Sequence, residues 1–311
     1  MAKISIIIPC YYNEGNIPIT GRELIKNEQL FPKETNFEYI FVDDGSKDKT
    51  FDELVKFHTK YPKRVKVIKL AKNVGANNAS LCGINMASGD CCAILAADLQ
   101  DPPELLAKMF KYWQNGFKLV VANRTKREDP FIGTIFSNIF HKLMRNFVLR
   151  NAPNSGFDLC LFDKQIRDNI VQMEEKNTYL PYLLLWLGYE YINIPYIRRR
   201  REIGKSKWTL SKKVKSFIDS FVSFTYLPLR LVSFLGILLS IAAFIYSIMI
   251  IRARIINKVP VEGWTSIVII LLFVSSFQMI SLGIIGEYIW RTLDAVRKRP
   301  SYIIDKIIES K

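Results

Sequence analysis

The stretch Ile94-Leu95-Ala96-Ala97-Asp98-Leu99-Gln100-Asp101-Pro102-Pro103-Glu104 changes character twice in a short space. It begins apolar, as the end of a buried strand does. It turns polar at Asp98 and Gln100, then places two prolines where a helix would start. Proline is harmless in a first helical turn, where its missing N–H would have had no intrahelical acceptor. The pattern predicts a strand over 91–96 and a helix over 102–113, together one βα unit.

The same unit recurs along the chain. Short apolar runs at 4–8, 37–42, 65–70 and 119–122 predict further strands, and helical spacing at 50–61 and 77–87 predicts helices between them. Strands alternating with helices give an α/β domain with a mostly parallel sheet. Ligands of such sheets bind beyond the carboxyl ends of the strands. That is where Asn13 and Glu14, Asp43-Asp44-Gly45-Ser46, Asn73 and Gly75, and Asp98 and Gln100 fall, after four successive strands. One such cluster would be a turn; four predict a site.

Asp48 and Thr50 read as helix caps. Asn73 and Gly75 also suit an ordinary strand-to-helix turn. Asp43 or Asp44 could accept hydrogen bonds from a nucleoside. Asp98 and Gln100, two apart on an extended segment, would present oxygens to one side. Such a pair suits Mg²⁺, which takes one or two carboxylates and completes its shell with water and substrate phosphates. Neither a GxGxxG nor a GxxxxGK[ST] motif is present, so neither a dinucleotide fold nor a P-loop is supported.

After Arg230 the texture changes. Residues 231–251 and 263–286 carry no charged side chain until the second run ends. About 20 apolar residues span a bilayer core as a helix, so each run is long enough. Residues 210–224 carry apolar groups at helical spacing with Lys212, Lys213 and Lys215 opposite, which predicts a helix lying in the membrane interface. A second amphipathic helix is expected over 131–150. The net charge of +15 is concentrated just ahead of the spans, where 198–215 holds nine basic residues and one acid. Under the positive-inside rule this places the soluble part in the cytoplasm. No signal peptide is expected from the apolar start at Ile4, and nucleic acid is not an expected partner, because no recognition motif accompanies the charge. Five cysteines without CxxC spacing fit free thiols in a reducing compartment. Two histidines, His58 and His141, exclude a histidine-rich metal site.

Several of these segments, taken in order, carry a resemblance. They are Ile6-Ile7-Ile8-Pro9 followed by Tyr12-Asn13-Glu14, Val42-Asp43-Asp44-Gly45-Ser46, Asn73-Val74-Gly75, Ala97-Asp98-Leu99-Gln100-Asp101-Pro102-Pro103-Glu104, and Gly204-Lys205-Ser206-Lys207-Trp208 before two spans. The chain resembles the family 2 glycosyltransferases that act on polyprenyl phosphates, such as dolichyl-phosphate mannose synthases and bactoprenol-phosphate glucosyltransferases. The resemblance runs nearly the whole length.

What it implies is a Rossmann-like GT-A domain over 1–210, an interfacial helix over 211–228, a two-span transmembrane hairpin over 229–290 and a cytoplasmic tail over 291–311. The protein would be multi-pass in the cell (inner) membrane, with the catalytic domain and both termini cytoplasmic. It would move a sugar from a UDP- or GDP-sugar to a polyisoprenyl phosphate, with inversion and with Mg²⁺ or Mn²⁺ as cofactor. A homo-oligomer fits the family. By motif, Pro9, Tyr11 or Tyr12, Asn13, Glu14, Asp43, Asp44, Asn73, Gly75 and Ala97 would bind the nucleotide sugar. Asp98 and Gln100 would hold metal and diphosphate. Asp158, with Asp98, would be catalytic. Arg124, Arg127, Arg198, Arg201, Ser206 and Lys207 would bind the acceptor and diphosphate.

Three departures stand out. Ala96 occupies the place of the family's first metal aspartate. Pro9-Cys10-Tyr11-Tyr12-Asn13-Glu14 has one residue more than the usual Pro-x-Tyr-Asn-Glu, which leaves open which tyrosine meets the base. Cys160 stands where the family often has arginine. Asp101 or Asp158 could compensate for Ala96, or the chain could be a catalytically silent nucleotide-sugar-binding subunit, or serve another acceptor. A processive polysaccharide synthase is disfavoured by the two spans and the lack of a QxxRW motif.

Overall fold

A computed structural model describes residues 1–126, 142, 144–146, 149, 153, 157–173, 179–199, 218–219, 221–257 and 263–310. The chain divides into two units, 1–221 with 300–311, and 222–299.

The first unit is built on β1 (Lys3–Cys10), β2 (Asn36–Asp43), β3 (Val65–Leu70) and β4 (Cys91–Ile94), joined by α1 (Ile17–Asn27), α2 (Thr50–Lys60) and α3 (Ala76–Asn85). Then come α4 (Leu105–Gln114), β5 (Leu119–Lys126), β6 (Cys160–Asp163), α5 (Lys164–Met173), α6 (Leu180–Trp186) and β7 (Tyr191–Ile197). A last strand, β8 (Ile304–Ile308), closes the unit. The sheet has eight strands in the order β7-β5-β6-β4-β1-β2-β3-β8. Strands β4, β1, β2 and β3 run parallel; β6 is antiparallel to both β4 and β5, and β8 is antiparallel to β3.

The α/β class and mostly parallel sheet are as expected. Ile4, Ile6, Ile7, Ile8, Ile40, Phe41 and Val42 are buried, because helices cover both faces and the central strands must be apolar throughout. Between β1 and its neighbours β2 and β4 the connectivity reverses direction, which opens a crevice at their carboxyl ends.

Boundaries differ from the sequence expectation in places. β1 continues through Pro9 to Cys10, pairing with Asp43. β4 stops at Ile94 rather than Ala96, although Leu95 N still donates to Ile7 O at 3.0 Å. α4 starts at Leu105, after both prolines.

The second unit consists of α7 (Leu227–Asn257) and α8 (Trp264–Val296). Within them Leu227–Met249 and Ser266–Val296 are long and apolar enough to cross a membrane, with a mean hydropathy of 2.4. Large apolar side chains such as Phe244, Ile245, Leu271 and Ile280 are more than half exposed, which a helix surrounded by lipid permits and one in water does not. Tyr288 donates to Thr225 O at 2.7 Å and Arg291 to Ser223 Oγ at 3.1 Å.

The expected cytoplasmic tail is divided otherwise. Residues 291–296 complete α8, and 300–311 return to the sheet, where Lys66 pairs with Glu309 at 2.9 Å. Most of the expected interfacial helix lies outside the described residues; 218–219 and 221–224 are helical. Of the helix expected over 131–150, positions 142 and 144–146 are helical and most others lie outside the described residues.

Candidate active site

The loop after β1 is fastened to the loop after β2 by a run of hydrogen bonds. Asp44 N donates to Cys10 O (2.8 Å), Tyr12 N to Ser46 Oγ (3.0 Å), Asn13 N to Thr50 Oγ1 (2.8 Å) and Lys49 N to Glu14 Oε2 (3.0 Å). Thr50 is therefore a buried tie between loops and not a cap, whereas Asp48 does receive the Thr50 N–H at 3.1 Å. Asn13 turns its side chain back onto Tyr11 N at 2.7 Å. The two tyrosines meet edge to face with centroids 4.6 Å apart; Tyr11 is half-buried, while Tyr12, at φ +54°, is the exposed ring.

Asp43 and Asp44 have different tasks. Asp44 is 2 % exposed and spends its carboxylate on the loop after β3: Oδ1 accepts from Val74 N (2.7 Å), Oδ2 from Gly75 N (2.9 Å) and Asn73 Nδ2 (2.8 Å). Asn73 and Gly75 thus meet Asp44 in one knot. Gly45 makes the knot fit: at φ +68°, a Cβ there would lie 2.7 Å from the Lys72 carbonyl carbon. Asp43 is fully buried; Oδ1 accepts the Ser46 N–H at 3.1 Å, and Oδ2 has no hydrogen-bond partner among the described residues. Burial pushes its pKa above the ordinary carboxylate value, with the Ser46 hydrogen bonds pulling the other way. A buried carboxylate oxygen without a donor is costly and suits a site that a ligand N–H or O–H completes.

The segment after β4 is not extended as its sequence suggests. Leu99 takes a left-handed φ of +51°, so Asp98 folds over to accept Gln100 N at 3.2 Å. Thr20 of α1 anchors this turn by donating to Ala97 O at 2.7 Å. Gln100 faces the end of β7: its Nε2 donates to Arg199 O at 3.4 Å, and Arg199 N donates to Gln100 O at 2.9 Å. Among the described residues no group of three or more His, Cys, Asp or Glu side chains gathers as a metal site would. With Ala96 in the family's aspartate position, Asp98 is the carboxylate at hand. That fits a divalent cation carried in with a diphosphate and completed by its oxygens and water, not one held by protein alone.

Arg124, on β5, forms an ion pair with Asp158 just ahead of β6. Its Nε also donates to the Tyr196 hydroxyl at 3.3 Å, and that hydroxyl donates to Oδ1 of Asp101. Arg198 Nε stands 3.6 Å from the same oxygen. Cys160, next to this group in sequence, is buried with its thiol pKa pushed up to about 12 by burial. Arg127, Arg201, Ser206 and Lys207 lie outside the described residues. The sequence had not marked Thr20, Tyr179 or Tyr196, had placed Ser46 in a strand-end cluster without a role of its own, and had weighed Asp101 only as a metal ligand. Single tyrosines and threonines carry no motif, and their partners are distant in sequence.

The glycosyl transferase family 2 model matches residues 5–170. The glycosyltransferase YkcC of Bacillus subtilis (strain 168) is 34% identical over 305 residues, 98% of this chain and 94% of its own. A prophage bactoprenol glucosyl transferase homolog of Escherichia coli (strain K12) is 31% identical over 306 residues, 98% and 99%. An undecaprenyl-phosphate 4-deoxy-4-formamido-L-arabinose transferase of Photorhabdus laumondii is 29% identical over 309 residues, 98% and 94%.

Proposed function

The chain belongs to glycosyl transferase family 2, and on that premise we propose that it is a membrane-anchored, inverting enzyme that moves a sugar from a UDP- or GDP-sugar to a polyisoprenyl phosphate on the cytoplasmic leaflet. The observation that carries this reading is the gathering, at the carboxyl ends of the strands, of an unsatisfied buried Asp43, the Asp98 turn and the Arg124 guanidinium. The relatives named for bactoprenol and undecaprenyl phosphate cover nearly all of the chain, spans included, and support the choice of acceptor.

In this reading Asp43 receives a donor N–H from the nucleoside, with Tyr12 or Tyr11 against the base and Asn13, Glu14 and Pro9 shaping the loop beneath it. Asp44, Asn73 and Gly75 fix the pocket wall. Asp98 and Gln100 would hold Mg²⁺ or Mn²⁺ against the diphosphate, where the cation would offset charge on the leaving group. A phosphate monoester has a second pKa near 6, so the acceptor reaches the enzyme largely as a dianion and little general base is needed. One acceptor oxygen attacks the anomeric carbon from the face opposite the diphosphate, the C–O bond to the diphosphate breaks, and configuration inverts. Arg124 and the basic segment from Arg198 through Lys207 offset the repulsion between acceptor and donor phosphates. Asp158 orients the sugar or the acceptor.

The topology has support in connectivity. β8 pairs with β3 in the same sheet, so residues on both sides of the apolar helix pair belong to one folded unit. Two crossings return the chain to the side it left, and the excess of basic residues beside the spans supports a cytoplasmic location for that side.

The test is transfer of labelled sugar from a panel of UDP- and GDP-sugars to undecaprenyl phosphate, with the full chain in detergent, with and without chelator. Lipid-borne label from one donor, lost on chelation, is expected. Nucleotide binding without transfer from any donor would instead favour the silent-subunit alternative that Ala96 raises.

A further inference from the structure

Arg124 and Asp158 make an unequal pair. The Arg124 side chain is 9% exposed and Asp158 is 45% exposed. The arginine is held from behind as well: its Nε donates to Tyr196 Oη at 3.3 Å, and Tyr196 in turn donates to Asp101, which has no exposed surface. Among the described residues Asp158 otherwise meets only Tyr179 Oη, at 3.5 Å from Oδ1, the outer limit of a hydrogen bond. One partner is fixed and the other can leave.

The support behind Arg124 is costly in itself. Asp101 Oδ2 is buried with no hydrogen-bond partner among the described residues, and Arg198 Nε approaches Oδ1 only to 3.6 Å. A simple structural need would be met by an apolar pair at Tyr196 and Asp101 without that penalty. A buried acid beneath a tyrosine does something an apolar pair cannot. It commits the hydroxyl proton to Asp101 and turns the hydroxyl lone pairs toward Arg124, which sets the plane of the guanidinium.

We propose that Tyr196 and Asp101 are positioning residues that fix Arg124 as the stationary half of an exchangeable ion pair, in which the phosphate dianion of the acceptor replaces the Asp158 carboxylate. This deepens the function proposed above, since it rests on Arg124 receiving the acceptor. Asp158 occupies the anion position while no acceptor is present, which keeps a buried cation paired. Its release on acceptor binding frees a carboxylate beside the reacting groups once the acceptor is in place.

Binding can test this without turnover, so the outcome does not depend on finding the right sugar donor. Farnesyl phosphate and UDP would each be titrated against the full chain in detergent, as wild type and as the Tyr196→Phe, Asp101→Asn and Asp158→Asn variants, with melting temperature recorded for each. Tyr196→Phe is expected to weaken farnesyl phosphate binding about tenfold, as for loss of a hydrogen bond to a charged group, with UDP binding unchanged; the stability lost by taking the hydroxyl donor from Asp101 is read separately in the melting temperature. Asp101→Asn retains an acceptor for the tyrosine and is expected to lie between Tyr196→Phe and wild type. Asp158→Asn is expected to tighten farnesyl phosphate binding about threefold or more, the worth of a half-exposed competing ion pair. Once a donor is known, Tyr196→Phe should raise the acceptor KM far more than it lowers kcat. Weaker farnesyl phosphate binding in Asp158→Asn would overturn the exchange. A Tyr196→Phe effect on UDP alone would assign Arg124 to the donor diphosphate and overturn the acceptor assignment. Equal losses for both ligands with a lowered melting temperature would reduce the pair to a structural role.

Discussion

Asp44 Oδ1 accepts the backbone N–H of Val74 at 2.7 Å, joining the end of β2 to the loop after β3. With Gly75 N and Asn73 Nδ2 on the other oxygen, one buried carboxylate satisfies three donors. Asp44→Ala strands two backbone N–H groups near the sheet and should cost about 2–4 kcal/mol of stability. Urea unfolding followed by tryptophan fluorescence would measure it. A loss under about 0.5 kcal/mol would mean that water replaces the carboxylate and that the knot is not structural.

Gly45 and Gly75 both have positive φ, +68° and +88°, but only Gly45 is crowded. An added Cβ at 45 meets Lys72 and Asn73 backbone at 2.7 and 2.8 Å, whereas at 75 nothing lies within 4 Å. Gly75→Ala should therefore carry only the left-handed penalty, about 1–2 kcal/mol. Gly45→Ala must also move the loop that Asp44 holds, and should be the more damaging by at least about 1 kcal/mol. Comparing the two melting temperatures decides the order.

Asp43 links pH to both stability and binding. Its folded pKa is raised by burial, so the folded state holds the proton more tightly than the unfolded chain. Stability from the protonated form is present below the unfolded value of about 3.9 and is lost as pH rises through the folded pKa. Asp43→Asn removes that titration. Its stability relative to wild type should improve between acid and neutral pH, while nucleotide binding falls about tenfold or more through loss of an acceptor for the ligand. A variant that loses ground to wild type as pH rises would show that the carboxylate is well satisfied when ionised.

The strands that could be read from the sequence are those buried on both faces, where Ile4–Ile8 and Phe37–Val42 are nearly unbroken apolar runs. β7 was hidden by Pro195 within it, which an outer strand such as this one tolerates. β8 was hidden by Asp305 and Lys306, charges that suit an edge strand with one partner. The same contrast holds in the site. Clusters at strand ends could be read because one strand and its turn carry them. The Asp101–Tyr196–Arg124–Asp158 chain could not, because its members come from four segments and meet only through the order of β4, β6, β5 and β7 in the sheet. Leu99 shows a third limit: nothing in an apolar residue announces a left-handed turn, yet its φ of +51° decides where Asp98 and Gln100 point.

Ala96 gives the most direct test of the cation. Asp98 folds onto its own turn, Asp101 is taken up by Tyr196, and Gln100 is drawn toward Arg199 O, so the described residues offer a cation little before the diphosphate arrives. Adding a carboxylate by Ala96→Asp restores the family's pair, and affinity for hard cations rises with ligand charge. Mn²⁺ binding to the nucleotide-free variant, read by electron paramagnetic resonance, should be at least about tenfold tighter than to wild type. The Mg²⁺ concentration for half-maximal transfer should fall in parallel. Equal Mn²⁺ affinity in the two proteins would place the cation away from position 96 and leave Asp98 with the diphosphate alone. Tighter metal binding with slower transfer would mean that the wild-type alanine favours release of the metal with the spent nucleoside diphosphate.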